Sequence, residues 1–210
     1  MLGQALVPLA LTLKVAIIAT LLALIAGGLG GYLLARYRFP GRELVDALGT
    51  LPLVMPPTVL GYYLIVLIGR RGWIGGWLSE TFGINLMFTW QGAVLASAIV
   101  AFPLVFKSVR AAFSSCVSEL GVFLRITLPL AWRGILAGTM LAFARAMGEF
   151  GATLMVAGNI PGKTQTLSLA VYDAVQAGQD DLANFLVLLT SVVVVAILMG
   201  SGRLLKPAHA

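Results

Sequence analysis

Charge is scarce in this sequence of 210 residues: Asp, Glu, Lys and Arg together make up 10% of it, against about a quarter in soluble domains. Cysteine occurs once, as Cys116, which excludes an intrachain disulfide and a thiolate metal cluster. Histidine also occurs once, as His209 in the C-terminal tail, with no second histidine or cluster of carboxylates to complete a ligand set. The sequence offers no metal-ligand spacing, no paired carboxylates and no Ser/His/Asp set, so no catalytic or metal residue is assigned and the chain reads as a non-enzyme. Hydrophobic residues fill the space, at 60% of the chain with a mean hydropathy of +0.99. That composition defines an all-α integral membrane protein with lipid around it and no separate soluble domain.

Five apolar runs are long enough to cross a hydrocarbon core, which takes about 20 helical residues: 15–35, 44–68, 87–106, 134–158 and 182–199. The first exceeds the apolar length of a secretory signal and lacks a small-x-small cleavage site before its arginines, so it reads as a retained span. An outer N-terminus puts Arg36, Arg38, Arg42, Lys107, Arg110, Arg125, Arg133, Arg203 and Lys206 on the inner side. Lys14, Arg70, Arg71 and Lys163 then fall outside, so the split is nine against four, with Arg145 inside a span. The positive-inside rule favours this orientation, with the C-terminus in the cytoplasm. The formal charge of +6 is thus a topology signal and does not argue for nucleic acid.

The fourth run, GILAGTMLAFARAMGEFGATLMVAG, keeps Arg145 and Glu149, each costing about 2.5 to 3.5 kcal/mol to insert alone. Their i, i+4 spacing puts them on one helical face, where each partly neutralises the other. The pair should face protein, either to fix helix packing or to line a pathway. Gly27, Gly28, Gly30 and Gly31 in the first run, and Gly134 with Gly138 in the fourth, are small residues that let helix backbones approach. Pro52, Pro56 and Pro57 interrupt the second run, where each missing N–H strands a carbonyl that lipid cannot satisfy. This segment should pack on other helices or line a wet cavity, with Pro56, Pro57, Thr58 and Gly151 joining Arg145 and Glu149 as pathway or gate candidates. Pro103 adds a kink site to the third run.

Residues 157–164, AGNIPGKT, match a loosened phosphate-loop pattern. A nucleotide site would also need a parallel sheet behind the loop and a second acidic strand, neither of which the sequence offers. The chain is therefore expected to carry no cofactor of its own.

Two strings carry a family resemblance. LPLVMPPTVLGYY at 51–63 and GEFGATLMVAGNIPGKTQTLSLAVYDAVQAG at 148–178 resemble the membrane subunit of molybdate ABC importers, over nearly the whole chain. Sulfate and thiosulfate permeases share the Gly-Glu and Ala-Gly-Asn-Ile-Pro theme and are the nearest alternative. A secondary oxyanion transporter working without ATP is a further one, for which only Arg145 and Glu149 would serve as coupling residues. The resemblance implies a type I importer membrane domain over residues 11–205 in a bacterial inner membrane. It further implies a homodimer, two cytoplasmic ATPase subunits that hold ATP and magnesium, and an external molybdate-binding protein.

The resemblance also exposes a departure. Family members carry an inner loop of pattern E-A-A-x3-G-x9-I-x-L-P that docks on the ATPase. Here Ile126, Leu128 and Pro129 supply its end, but SSCVSELGVFLR lacks the Glu-Ala-Ala, and Gly121 stands five positions before Ile126 where the pattern asks for ten. The expected contacts are therefore confined to Glu119, Gly121, Phe123, Leu124, Arg125, Ile126, Leu128 and Pro129, about two helical turns ahead of the Ile-x-Leu-Pro end.

Overall fold

A computed structural model describes residues 2–114 and 128–205, with side chains for 3–114 and 132–200. All secondary structure among the described residues is helical. The elements in chain order are α1 (Leu2–Arg36), α2 (Arg42–Val54), α3 (Pro57–Ile68), α4 (Trp73–Phe82), α5 (Trp90–Ser114), α6 (Leu128–Met147), α7 (Gly151–Ala157), α8 (Leu167–Gln176) and α9 (Asp180–Leu205). Three of them, α1, α5 and α9, are long and apolar enough to cross a membrane singly, and the count reaches five if the bent pairs α2 with α3 and α6 with α7 each make one span.

The bundle is organised around α5, along which α1 runs parallel, from Lys14 at Trp90 to Gly31 at Arg110, and α6 antiparallel, from Gly134 at Ala112 to Gly138 at Ser108. Val15, Ala16, Ala19, Ala23, Ala93, Ala101, Val105 and Ala142 form its buried centre. Alanine dominates because, with lipid outside as apolar as any side chain, helices associate through close backbone packing and small residues permit it. Gly27 and Gly31 sit where α1 meets α5: a Cβ at Gly31 would lie 2.6 Å from the Phe106 carbonyl oxygen. Gly28, by contrast, faces open space. Gly138 in α6 similarly approaches Ser108 of α5, whereas Gly134 reaches only ordinary contact with Ala112.

The second run breaks at its prolines, as expected: α2 and α3 are bent by 114°. Met55 and Pro56 are extended, with ψ of 140° and 135°, as residues preceding proline prefer. Pro57 then starts α3 at a position where its missing N–H costs nothing. The fourth run also breaks, by 57° between Met147 and Gly151. Arg145 and Glu149 therefore do not share a continuous helix face, and Glu149 lies in the break. Pro103 sits inside α5 without ending it. Lys107 and Arg110, expected in a loop, belong to the last turns of α5, and Arg133 is within α6.

The segments flanking the apolar runs hold more structure than their sequence suggests. Lys14 is not in a flanking loop; α1 begins at Leu2 and the Lys14 ammonium rests 3.7 Å from the centre of the Trp90 ring. In α8, the buried Leu167, Ala170 and Ala174 pack with Ala5, Ala183 and Leu186 of α1 and α9. Thr12 fastens this layer: its hydroxyl donates to the Pro8 carbonyl at 2.8 Å and accepts the Leu167 N–H at 2.8 Å. The segment between the fourth and fifth runs thus holds a packed helix, α8.

Candidate functional site: two broken helices and a buried ion pair

The two helix breaks meet. Gly151, the first residue of α7, sits against Pro57, the first residue of α3, where an added Cβ would come within 2.7 Å of the proline Cβ. One turn further along, Gly61 lies over Met155 and the Ala152 backbone, with 2.7 Å from a built Cβ to the Met155 Cβ. Below this crossing Leu60, Leu64, Ala96, Val100, Ala152 and Val156 close a second apolar core. Two glycines are needed because both backbones approach along one line, and any side chain there would push the helices apart.

Glu149 holds the α6–α7 break in shape. Its Oε2 accepts from Arg145 Nη1 at 2.7 Å, and its Oε1 accepts the Ala152 N–H at 2.9 Å, satisfying an otherwise orphaned donor of the first turn of α7. The Glu149 side chain is 1% exposed and that of Arg145 is 35% exposed. One carboxylate thus neutralises a half-buried guanidinium and caps a helix. Such a net-neutral pair gives no strong anion site by itself. Thr153, one turn into α7, is fully buried and its hydroxyl finds no partner.

Of the residues singled out from sequence, the structure brings together Pro57 with Gly151 and Arg145 with Glu149. Pro56 accepts the Leu60 N–H at 3.1 Å through its carbonyl and is exposed with Pro57 and Thr58 at the apex of the α2–α3 bend. The two prolines offer no N–H to the carbonyls of Pro52 and Leu53, so the helical ladder loses two donors at this apex, beside Val54, which is 78% exposed. Glu119, Gly121, Phe123, Leu124, Arg125 and Ile126 lie outside the described residues, as does Cys116. Of Leu128 and Pro129 only the backbone is described, in the first turn of α6.

Sequence reasoning missed Gly61 and Met155, which form half of the helix crossing, and Asp46. The Asp46 carboxylate in α2 joins Lys107, at 2.8 Å, and Arg110 of α5. An acid near the start of an apolar run, with two cations spaced i, i+3 at the end of another, was the available signal. The AGNIPGKT loop closes on itself: the N–H groups of Lys163, Thr164 and Gln165 all donate to the Ile160 carbonyl at 2.9 to 3.1 Å. Thr164 is fully buried, accepts the Ile160 N–H and donates to the Gly158 carbonyl. These N–H groups and this hydroxyl are committed within the loop.

Two broken helices thus cross at bare backbone, with a charged residue in one break, and the fold is that of the membrane domain of a type I ABC importer. The fold agrees with that of a methionine ABC transporter in inward-facing conformations, at a TM-score of 0.74 and 16% identity, with 98% of this chain and 96% of that one covered. A bacterial alginate ABC transporter in complex with its periplasmic protein matches at 0.65 and 16%, covering 97% of this chain and 80% of that one. The chain belongs to the molybdenum transport system permease family. It is 42% identical to the permease ModB of Escherichia coli over 90% of this chain and 89% of that protein. It is 46% identical to ModB of Haemophilus influenzae, covering 79% and 78%. The sulfate permease CysT of Escherichia coli stands further off, at 36% over 79% of this chain and 64% of its own length. No protein-family model matches the sequence.

Proposed function

We propose that this chain forms the membrane pathway of an ATP-driven importer for molybdate, and for tungstate as a close chemical analogue. The observation that carries the reading is the near full-length similarity to molybdenum permeases, joined to the crossing of two broken helices at Pro57 and Gly151. Broken helices line routes in transporters because freed backbone groups are tolerable only against protein or water. Two copies would complete the pathway around one axis, two cytoplasmic ATPase subunits would drive it, and an external binding protein would deliver the anion. Selectivity then resides chiefly in the binding protein, since Arg145 is neutralised by Glu149. The N-terminus is placed outside and the C-terminus in the cytoplasm, with Asp46, Lys107 and Arg110 towards the inner face; the distribution of Lys and Arg supports this.

Proteoliposomes holding the chain with its ATPase and binding protein should accumulate molybdate only when ATP is supplied, and excess sulfate should reduce uptake little. Equal uptake without ATP would move the chain to secondary transport. Preferred uptake of sulfate would move it to the sulfate branch.

The trimmed inner loop carries a second expectation. Docking through residues 119–129 alone buries less of the ATPase than the full family loop, so ATP hydrolysis should respond only weakly to loaded binding protein. Area does not convert simply to affinity, which makes the loop itself the variable to change. Grafting a full-length family loop ahead of Arg125 should raise the stimulated rate severalfold in reconstituted vesicles. Equal stimulation of the two chains would show that the short loop docks fully.

A further inference from the structure

At the end of the bundle where α1 and α5 close, three arginines from three separate elements converge. Arg38 lies in the connection after α1, Arg42 opens α2, and Arg110 comes from the last turns of α5. With Phe39, Gly41 and Glu43 they line a cavity of about 480 Å³. The convergence is built by the backbone. Gly41 adopts φ of +90°, a conformation that favours glycine, and so turns the chain sharply into α2. Gly31 meanwhile lets α1 close on α5 beside Arg110.

The charge of this cavity is not balanced. Glu43 is the one acid in the lining, against three arginines. Asp46, a turn deeper, is shared between Arg110 and Lys107, so one carboxylate serves two cations. The Nε of Arg42 is buried with no hydrogen-bond partner, an unspent donor within the guanidinium that borders the space. The cavity also opens at the start of a helix 13 residues long, whose positive end adds to the field. Planar guanidinium forks and helix N–H groups suit one ligand chemistry above others, a tetrahedral oxyanion bound through two or more of its oxygens.

We propose that this cavity is a binding site for a tetrahedral oxyanion group, distinct from the helix crossing at Pro57 and Gly151. Two sources present that chemistry: the phosphodiester of an anionic lipid, which basic pockets between membrane helices are suited to hold, and a free oxyanion such as inorganic phosphate or molybdate. Either ligand would tie α1, α2 and α5 together at the end where Asp46 already clamps α2 to α5.

Native mass spectrometry of the assembled transporter, titrated with phosphatidylglycerol and with phosphatidylcholine as a zwitterionic control, addresses the lipid. Equilibrium binding of inorganic phosphate and molybdate in detergent addresses the free ion. The variant is Arg38→Gln with Arg42→Gln, which leaves Arg110 to its partner Asp46. Binding of phosphatidylglycerol that exceeds the control and falls at least fivefold in the variant assigns the site to lipid. Saturable phosphate or molybdate binding that falls likewise assigns it to a free ion. Binding of neither probe above control, or binding unchanged in the variant, overturns the proposal. Arg38→Gln alone alters one exposed side chain in a connection and keeps the test open if the double variant does not assemble. A drop of twofold or more is then expected, and no drop overturns the site.

Discussion

Glu149→Gln should destabilise the protein severely. The substitution preserves shape and leaves an amide oxygen able to accept the Ala152 N–H, so the cap on α7 survives. It removes the charge opposite Arg145. Breaking a buried ion pair on one side strands the other charge, at about 3 to 5 kcal/mol; the partial exposure of Arg145 argues for the lower part of that range. Thermal melting of the detergent-solubilised protein should fall, and membrane yield with it.

Arg145→Gln combined with Glu149→Gln should then recover part of the loss, because no unpaired charge remains. Additive single effects in that double-mutant cycle would mean the two groups do not interact. Glu149→Ala should be worse than Glu149→Gln by about 1 kcal/mol, the usual worth of a helix cap. That increment is a consequence of the break: in the unbroken helix that the sequence suggests, Glu149 would cap nothing. If the variants assemble normally yet lose transport, the pair serves the pathway more than the packing.

Gly31→Val is expected to be the second severe change, with the cause at the α1–α5 contact. A Cβ there would stand 2.6 Å from the Phe106 carbonyl oxygen and 3.1 Å from the Arg110 backbone nitrogen. Both atoms belong to the backbone of a helix buried in the bundle, so neither can rotate aside and α1 must move away as a unit. Overpacking typically costs about 1 to 3 kcal/mol, and the unyielding partner places this site at the top of that range. The shift would also loosen Gly27, one turn earlier, where a Cβ already meets the Phe102 carbonyl oxygen at 3.2 Å. Gly28→Ala, facing open space, is the internal control and should melt as the parent does. Equal melting of Gly31→Val and the parent would sink the close-packing account.

Much of the membrane architecture was legible because its causes are local. An apolar run of sufficient length is helical in lipid, since no other open conformation satisfies its backbone, and the five runs correspond to α1, α2 with α3, α5, α6 with α7, and α9. The prolines at 56 and 57 announced a break for the same reason. Less legible was the break before Gly151. Nothing in Met147, Gly148 and Glu149 forbids a helix as proline does; the bend exists because Gly151 seats on Pro57 and Gly61 on Met155, contacts between segments about 90 residues apart in the sequence. Gly27 and Gly31 show the same division. Their spacing marked a packing face, yet the neighbouring Gly28 and Gly30 could not be ranked against them until α5 was in place.

The sequence by itself determined the solvent of this protein, the number of apolar runs, the positions of the prolines and the family whose motifs it carries, because composition and local backbone chemistry are written one residue at a time. Only the tertiary structure decided that two broken helices meet, that Glu149 both pairs and caps, that Asp46 clamps α2 to α5, and that three arginines share one cavity. Each of those depends on groups far apart in the chain being brought within a few ångströms, and such proximity is set by how whole helices pack rather than by any residue alone.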